Sequence, residues 1–164
     1  MCSTLKWVDR ATTRLAAGGN STTEVRVVDL IGDGLKRGES VEHLTNRVSE
    51  WFGEETTAKR AERIARTESA RAYVEGQEAA WELSGVVDRK QWLLAPKPCE
   101  FCRAAAAEWN EKGGVPIGQA FYKRGHVLTG DEGGVMRLDY SDVSGPPLHP
   151  NCRCDLIPVL EGES

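Results

Sequence analysis

Pro146-Pro147-Leu148-His149-Pro150-Asn151-Cys152-Arg153-Cys154 is the stretch from which this chain's architecture is read. Two cysteines stand one residue apart, and a histidine stands three residues before the first, so three potential metal ligands share a six-residue window. On an extended strand, side chains alternate with period two, which would send the Cys152 and Cys154 sulfurs off the same face. A second pair lies upstream in Cys99-Glu100-Phe101-Cys102, whose C-x2-C spacing suits two thiolates on one zinc ion. Residues 103–148 then read as an excursion that returns the chain to its starting point.

The cysteines leave three readings open. A disulfide framework fits poorly, because the chain is not a small secreted scaffold and no apolar signal-peptide core follows Met1. A reducing compartment fits better. Buried thiols that bind nothing are the plain alternative, since free cysteine is among the most buried residue types. A zinc or similar thiophilic ion is the third reading, with Cys99, Cys102, His149, Cys152 and Cys154 as five candidates for four positions. Which of the five is left out stays open, and Cys2, far from the others in sequence, is expected to be a free thiol.

With 164 residues the chain can bury one core, or one core with an appended helical arm. No run approaches the roughly 18 apolar residues of a membrane span. The net charge of −4 is unevenly placed: residues 1–98 carry 15 Lys+Arg against 15 Asp+Glu, whereas residues 99–164 carry 6 against 10. An acidic half that contains the metal candidates argues against a zinc finger gripping phosphate, which needs lysine and arginine to displace counterions.

In chain order, Leu5, Val8, Ala11 and Leu15 form a short amphipathic pattern ending at Gly18-Gly19. Asn20 to Glu24 offer caps for a second helix carrying Val25, Val28, Leu30 and Ile31, which Gly32 and Gly34 weaken. Ser40 is the expected cap of a third helix, with Leu44 and Val48 in its apolar stripe and Gly53 closing it. The longest helix is expected from about Thr57 to Leu83, ended by Ser84-Gly85. Its small residues, Ala61 and Ala65 among them, would let a partner helix approach closely. Its basic first half (Lys59, Arg60, Arg63, Arg66, Arg71) reads as a solvated face with a Glu62–Arg66 pair, or else as a contact for DNA phosphate.

Beyond Gly85, Val86–Ala95 reads as a strand stopped by Pro96 and Pro98. Cys102 to about Glu111 reads as a helix and Val115–Phe121 as extended. Residues 123–147 read as a glycine-, aspartate- and proline-rich stretch with turn signals at Gly130–Gly134 and Ser144–Pro147, and Tyr122–Val127 is a plausible strand. Arg153–Val159 is the last strand, expected antiparallel beside the strand at 88–95. The fold class is thus α+β. Residues 1–84 form a helical arm and long helix, and residues 85–164 a small sheet lobe with a Cys/His metal knot; one continuous structural unit is expected from about residue 40.

Several motifs in this order resemble the phage head-morphogenesis (minor head protein) family of the phage Mu F type. They are Arg63-Ile64-Ala65-Arg66-Thr67-Glu68 on a long helix, Lys90-Gln91-Trp92, Cys99-x-x-Cys102, Pro147 to Cys154, and Pro158-Val159, and the resemblance covers residues 40–160. It implies a tailed-phage virion component of the head interior, associated with the portal or major capsid protein, assembled in the host cytoplasm, aiding DNA packaging or ejection and touching packaged DNA. No membrane and no small-molecule substrate are implied. The chain is short for that family, so either an N-terminal portion is absent or this is a compact relative.

Enzyme readings compete with this one. A cysteine/histidine knuckle also resembles HNH nucleases, for which His43 and His126 are the available bases, and a plain nucleic-acid-binding zinc module is a further alternative. A hydrolytic zinc site needs three protein ligands and an open position for water. Five crowded donors fit a closed structural role better. No P-loop, G-x-G-x-x-G or Ser-His-Asp order is present. The chain is therefore expected to be non-enzymatic, with Arg66, Thr67 and Glu68 serving the fold.

Overall fold

A computed structural model describes residues 21–160 and Gly162. The expected helix at Leu5–Leu15, the Asn20 cap and the free thiol of Cys2 lie outside the described residues. The architecture is α+β. Helices α1 (Ser21–Lys36), α2 (Val41–Phe52) and α3 (Ala58–Ser84) come first, with a short 3-10 turn at Gly53–Glu55. Strand β1 (Val87–Leu93), helix α4 (Glu100–Asn110), and strands β2 (Val115–Pro116), β3 (Val127–Thr129), β4 (Val135–Arg137) and β5 (Asp155–Leu160) follow. The chain divides within α3 into two compact units, Met1–Gly76 and Gln77–Ser164, each with its own core.

The first unit is built from amphipathic helices. Ser40 caps α2, its hydroxyl accepting the His43 N–H at 3.3 Å, and Gly53 ends the helix at a φ of 57° that only glycine adopts without strain. Val27, Val28 and Ile31 of α1 pack with Leu44 and Val48 of α2 and with Ala61 and Ala65 of α3. Gly32 and Gly34 do not end α1. A Cβ on Gly34 would come within 2.3 Å of Leu44 Cδ2, so this glycine is where α1 and α2 touch. The roughly 1 kcal/mol that a helical glycine costs is offset by full burial of Leu44, which contributes about 1.5–3 kcal/mol. Ala61 and Ala65 are wholly buried, as a close helix contact requires. On the outer side Lys59, Arg60, Arg63 and Arg66 are exposed, and Arg66 pairs with Glu62 at 2.7 Å. Thr67 is buried, its hydroxyl donating to the Arg63 carbonyl one turn back at 2.7 Å.

In the second unit β1 is central in the order β2-β1-β5, with both pairings antiparallel. The register sets Lys90 opposite Pro158 and Leu93 opposite Asp155, which confirms the expected pairing of the two strands. Lys90 and Trp92 point inward and are buried. Trp92 meets Phe121 edge-on at 5.1 Å, and Trp109 meets Phe121 at 6.1 Å and Tyr122 at 5.9 Å. Lys90 is charge-paired with Glu78, and both are almost fully buried.

Three expectations need correction here. Only Val115–Pro116 of the 115–121 segment is strand; Gly118, at a φ of 78°, turns the chain away from the sheet. Residues 123–147 hold more than the expected turns: Val127–Thr129 and Val135–Arg137 pair as a hairpin around the expected Gly130–Gly134 loop. Strands of three residues are too short for a period-two pattern to register. Finally, α4 begins before Cys102, with Cys99 as its cap.

Candidate metal centre

Four local features bring the donors together. Pro96 and Pro98 end β1, and Lys97 between them takes a φ of 55°, which bends the chain into α4. Cys99 then occupies the helix cap, its Sγ accepting the Cys102 N–H at 3.5 Å. On the returning side Leu148 is buried, and its carbonyl accepts the Tyr140 hydroxyl at 2.9 Å. A turn from His149 O to Cys152 N (3.2 Å), with Asn151 at a φ of 62°, folds Cys152 back over His149.

The helix is fixed to the sheet independently of the cysteines. The Asn110 side chain pairs with both backbone groups of Trp92, accepting its N–H and donating to its carbonyl at 2.9 Å each. The Arg89 guanidinium holds the carbonyls of Lys112, Gly113 and Gly114 just past the end of α4. At the opposite end the Glu100 carboxylate accepts the Gly134 N–H at 2.9 Å, in a notch where a Cβ on Gly130 or Gly134 would come within 2.3–2.4 Å of it. Arg103 reaches Asp131 at 2.6 Å and Glu132 at 2.6 Å. None of these four side chains was singled out from the sequence. The glycine pair at 130 and 134 was visible, but nothing along the chain marks Glu100 as its occupant.

All five sequence-predicted donors converge. They form two overlapping groups, Cys99/Cys102/His149 and Cys102/Cys152/Cys154, with the ligand atoms of each group within 4.8 Å of one another. Cys99 Sγ lies 3.0 Å from His149 Nε2, Cys102 Sγ 3.9 Å from the same nitrogen, and Cys102 Sγ 3.5 Å from Cys152 Sγ. Around one tetrahedral zinc, bond lengths of about 2.3 Å to sulfur and 2.0–2.1 Å to nitrogen set donors about 3.5–3.8 Å apart. The donor set therefore could hold a metal ion. Residues 95–99, 102, 149 and 151–154 line a cavity of about 300 Å³ around it.

The thiols share charge unequally. Hydrogen bonding from Cys102, then from Cys154, pulls the Cys152 thiol down to about 3, whereas the bond to Cys152 pushes Cys102 well up. Cys154 is drawn down by Cys102, but its bond to Cys152 and its burial outweigh that and leave it raised. Cys102 and Cys154 are thus held toward their protonated forms by the same hydrogen bonds that lower Cys152. A bound cation replaces the remaining protons, since a coordinating thiol is deprotonated outright.

The two histidines considered as nuclease bases lie outside both donor groups. His43 is exposed on α2, and His126 is exposed and stacked on Tyr122 at 4.7 Å.

The family model described as Phage Mu protein F like protein matches residues 25–157. The chain belongs to the Phage Mu protein F-like family. The match spans α1 to β5 and begins earlier than the motifs alone indicated, at residue 25 rather than 40. No curated protein and no solved structure matches the chain. At the level of the Mu F-like family it is a phage head-morphogenesis protein, a structural component that interacts with other parts of the virion head. Among the described residues no helix is long and apolar enough to cross a membrane.

Proposed function

We propose that this chain is a minor head protein of a tailed phage that works inside the head by protein–protein contact near the portal, and that one structural zinc ion knots its second unit. The observation that carries the metal reading is the convergence of Cys99, Cys102, His149, Cys152 and Cys154 from two segments about fifty residues apart in sequence. Donors consisting only of thiols and one imidazole favour zinc over hard cations, which prefer oxygen. Cys99 and Cys102, with two of the other three, would fill a closed tetrahedron and leave no position for a reacting water. The role is therefore to stabilise the fold, and the protein is not an enzyme. The portal and the major capsid protein are the proposed partners; contact with packaged DNA is secondary, because the second unit is acidic.

Co-purification with the portal and major capsid proteins of the same phage, followed by analysis of mature heads, tests the assembly role. The chain is expected in heads and bound to the portal. Heads that lack it, yet assemble and infect normally without it, would refute the role. Incubation with plasmid and Mg²⁺ or Mn²⁺ tests the nuclease alternative; no cleavage is expected, and cleavage abolished by His126→Ala would establish an enzyme instead.

A further inference from the structure

We infer that the ion is held by Cys99, Cys102, His149 and Cys152, and that Cys154 stays outside the shell and ties the end of β1 to the start of β5. The inference rests on the zinc reading above and adds a ligand set to it.

The imidazole decides the first half. His149 Nδ1 lies 2.9 Å from the Pro150 carbonyl oxygen, which can only accept, so Nδ1 carries the proton. Nε2 is then the unprotonated nitrogen, and it faces Cys99 and Cys102 at 3.0 and 3.9 Å. Donating the other ring N–H to a backbone carbonyl is how metal-bound histidines are oriented. Cys102 belongs to both donor groups; Cys152 shares a group with Cys102 and Cys154 and not with Cys99 and His149, so it enters as the fourth ligand through its 3.5 Å approach to Cys102. The two halves also match in spacing: Cys99-x2-Cys102 and His149-x2-Cys152 are equal knuckles, each bent by a hydrogen bond from the N–H of its second donor residue.

Cys154 is the competitor, because it lies within 4.8 Å of Cys102 and Cys152. Its Sγ accepts the Ala95 N–H at 3.5 Å, but Cys99, a ligand, accepts a backbone N–H at the same distance. The choice against Cys154 therefore rests on the 3.5 Å contact of Cys152 with Cys102 and on the place of Cys154 beside Asp155, which enters the ladder opposite Leu93. It thus continues the β1–β5 pairing past the last strand residue. A four-cysteine site would discard His149, whose two nitrogens are already directed.

X-ray absorption at the zinc edge of the wild-type protein tests the assignment without a variant. Three sulfurs and one nitrogen are expected in the first shell; four sulfurs would overturn the set. Zinc titration of single variants then separates the cysteines. Cys154→Ser is expected to keep one equivalent of zinc and the same first shell, whereas Cys152→Ser loses about tenfold or more in affinity. The reverse pattern would overturn the set. Wild-type protein purified under reducing conditions with no zinc would overturn the zinc reading itself and the ligand set with it.

Discussion

The two units reach order by different routes. The first relies on stripes of apolar side chains, short caps and close helix contact, and the features that build it repeat along the chain. The second has few and short strands, and its loops are held by individual polar clamps: Asn110 on Trp92, Arg89 on three carbonyls, Glu100 in its glycine notch, and the thiol cluster. The contrast shows what a small sheet needs when regular structure is scarce. Each clamp joins residues well apart in sequence through one or a few side chains.

Removing the proposed zinc ion should separate the units most. Structural zinc contributes about 10–16 kcal/mol of apparent binding free energy in small zinc folds. Chelation is therefore expected to abolish hydrogen-exchange protection across residues 86–160 while α1 and α2 keep theirs. Equal loss in both units would break the comparison. The same release is expected on acidification, because thiolate and imidazole ligands must lose protons to bind.

Next comes the ion pair beneath the sheet. Lys90→Ala strands the Glu78 carboxylate in the core and is expected to destabilise the second unit by about 3–5 kcal/mol, read by denaturant unfolding. Replacing both partners with apolar residues of similar volume should recover most of that loss. In the first unit, Leu44→Ala is expected to lose about 2–5 kcal/mol, with the change confined to the transition followed by exchange in α1–α2. The smallest effect is Ser40→Ala, at about 1 kcal/mol. A Ser40 effect larger than that of Lys90 would mean that the units do not differ as described.

The same difference explains what the sequence made legible. Ser40 as a cap, Gly53 as a stop and the span of α3 all come from signals within four residues of the feature they mark. The β1–β5 pairing was legible because the cysteines bracket it, and spacing alone picked out the five Cys and His side chains that the fold brings together. The β3–β4 hairpin and the Lys90–Glu78 pair were not. Three-residue strands carry no periodicity, and a buried glutamate on a helix rich in glutamate looks like any solvent-facing one until β1 is in place.

One stretch carries a consequence for anyone redesigning this chain. In residues 99–103, Cys99 and Cys102 belong to the donor cluster, while Glu100 and Arg103 secure the hairpin loop. Only Phe101 is free of both tasks. A library randomised across these five codons should thus recover diversity at the middle position and almost none around it. A one-residue insertion there would rotate the rest of α4 by about 100° relative to the residues before it, setting the side chains after the insertion out of register with those that precede it.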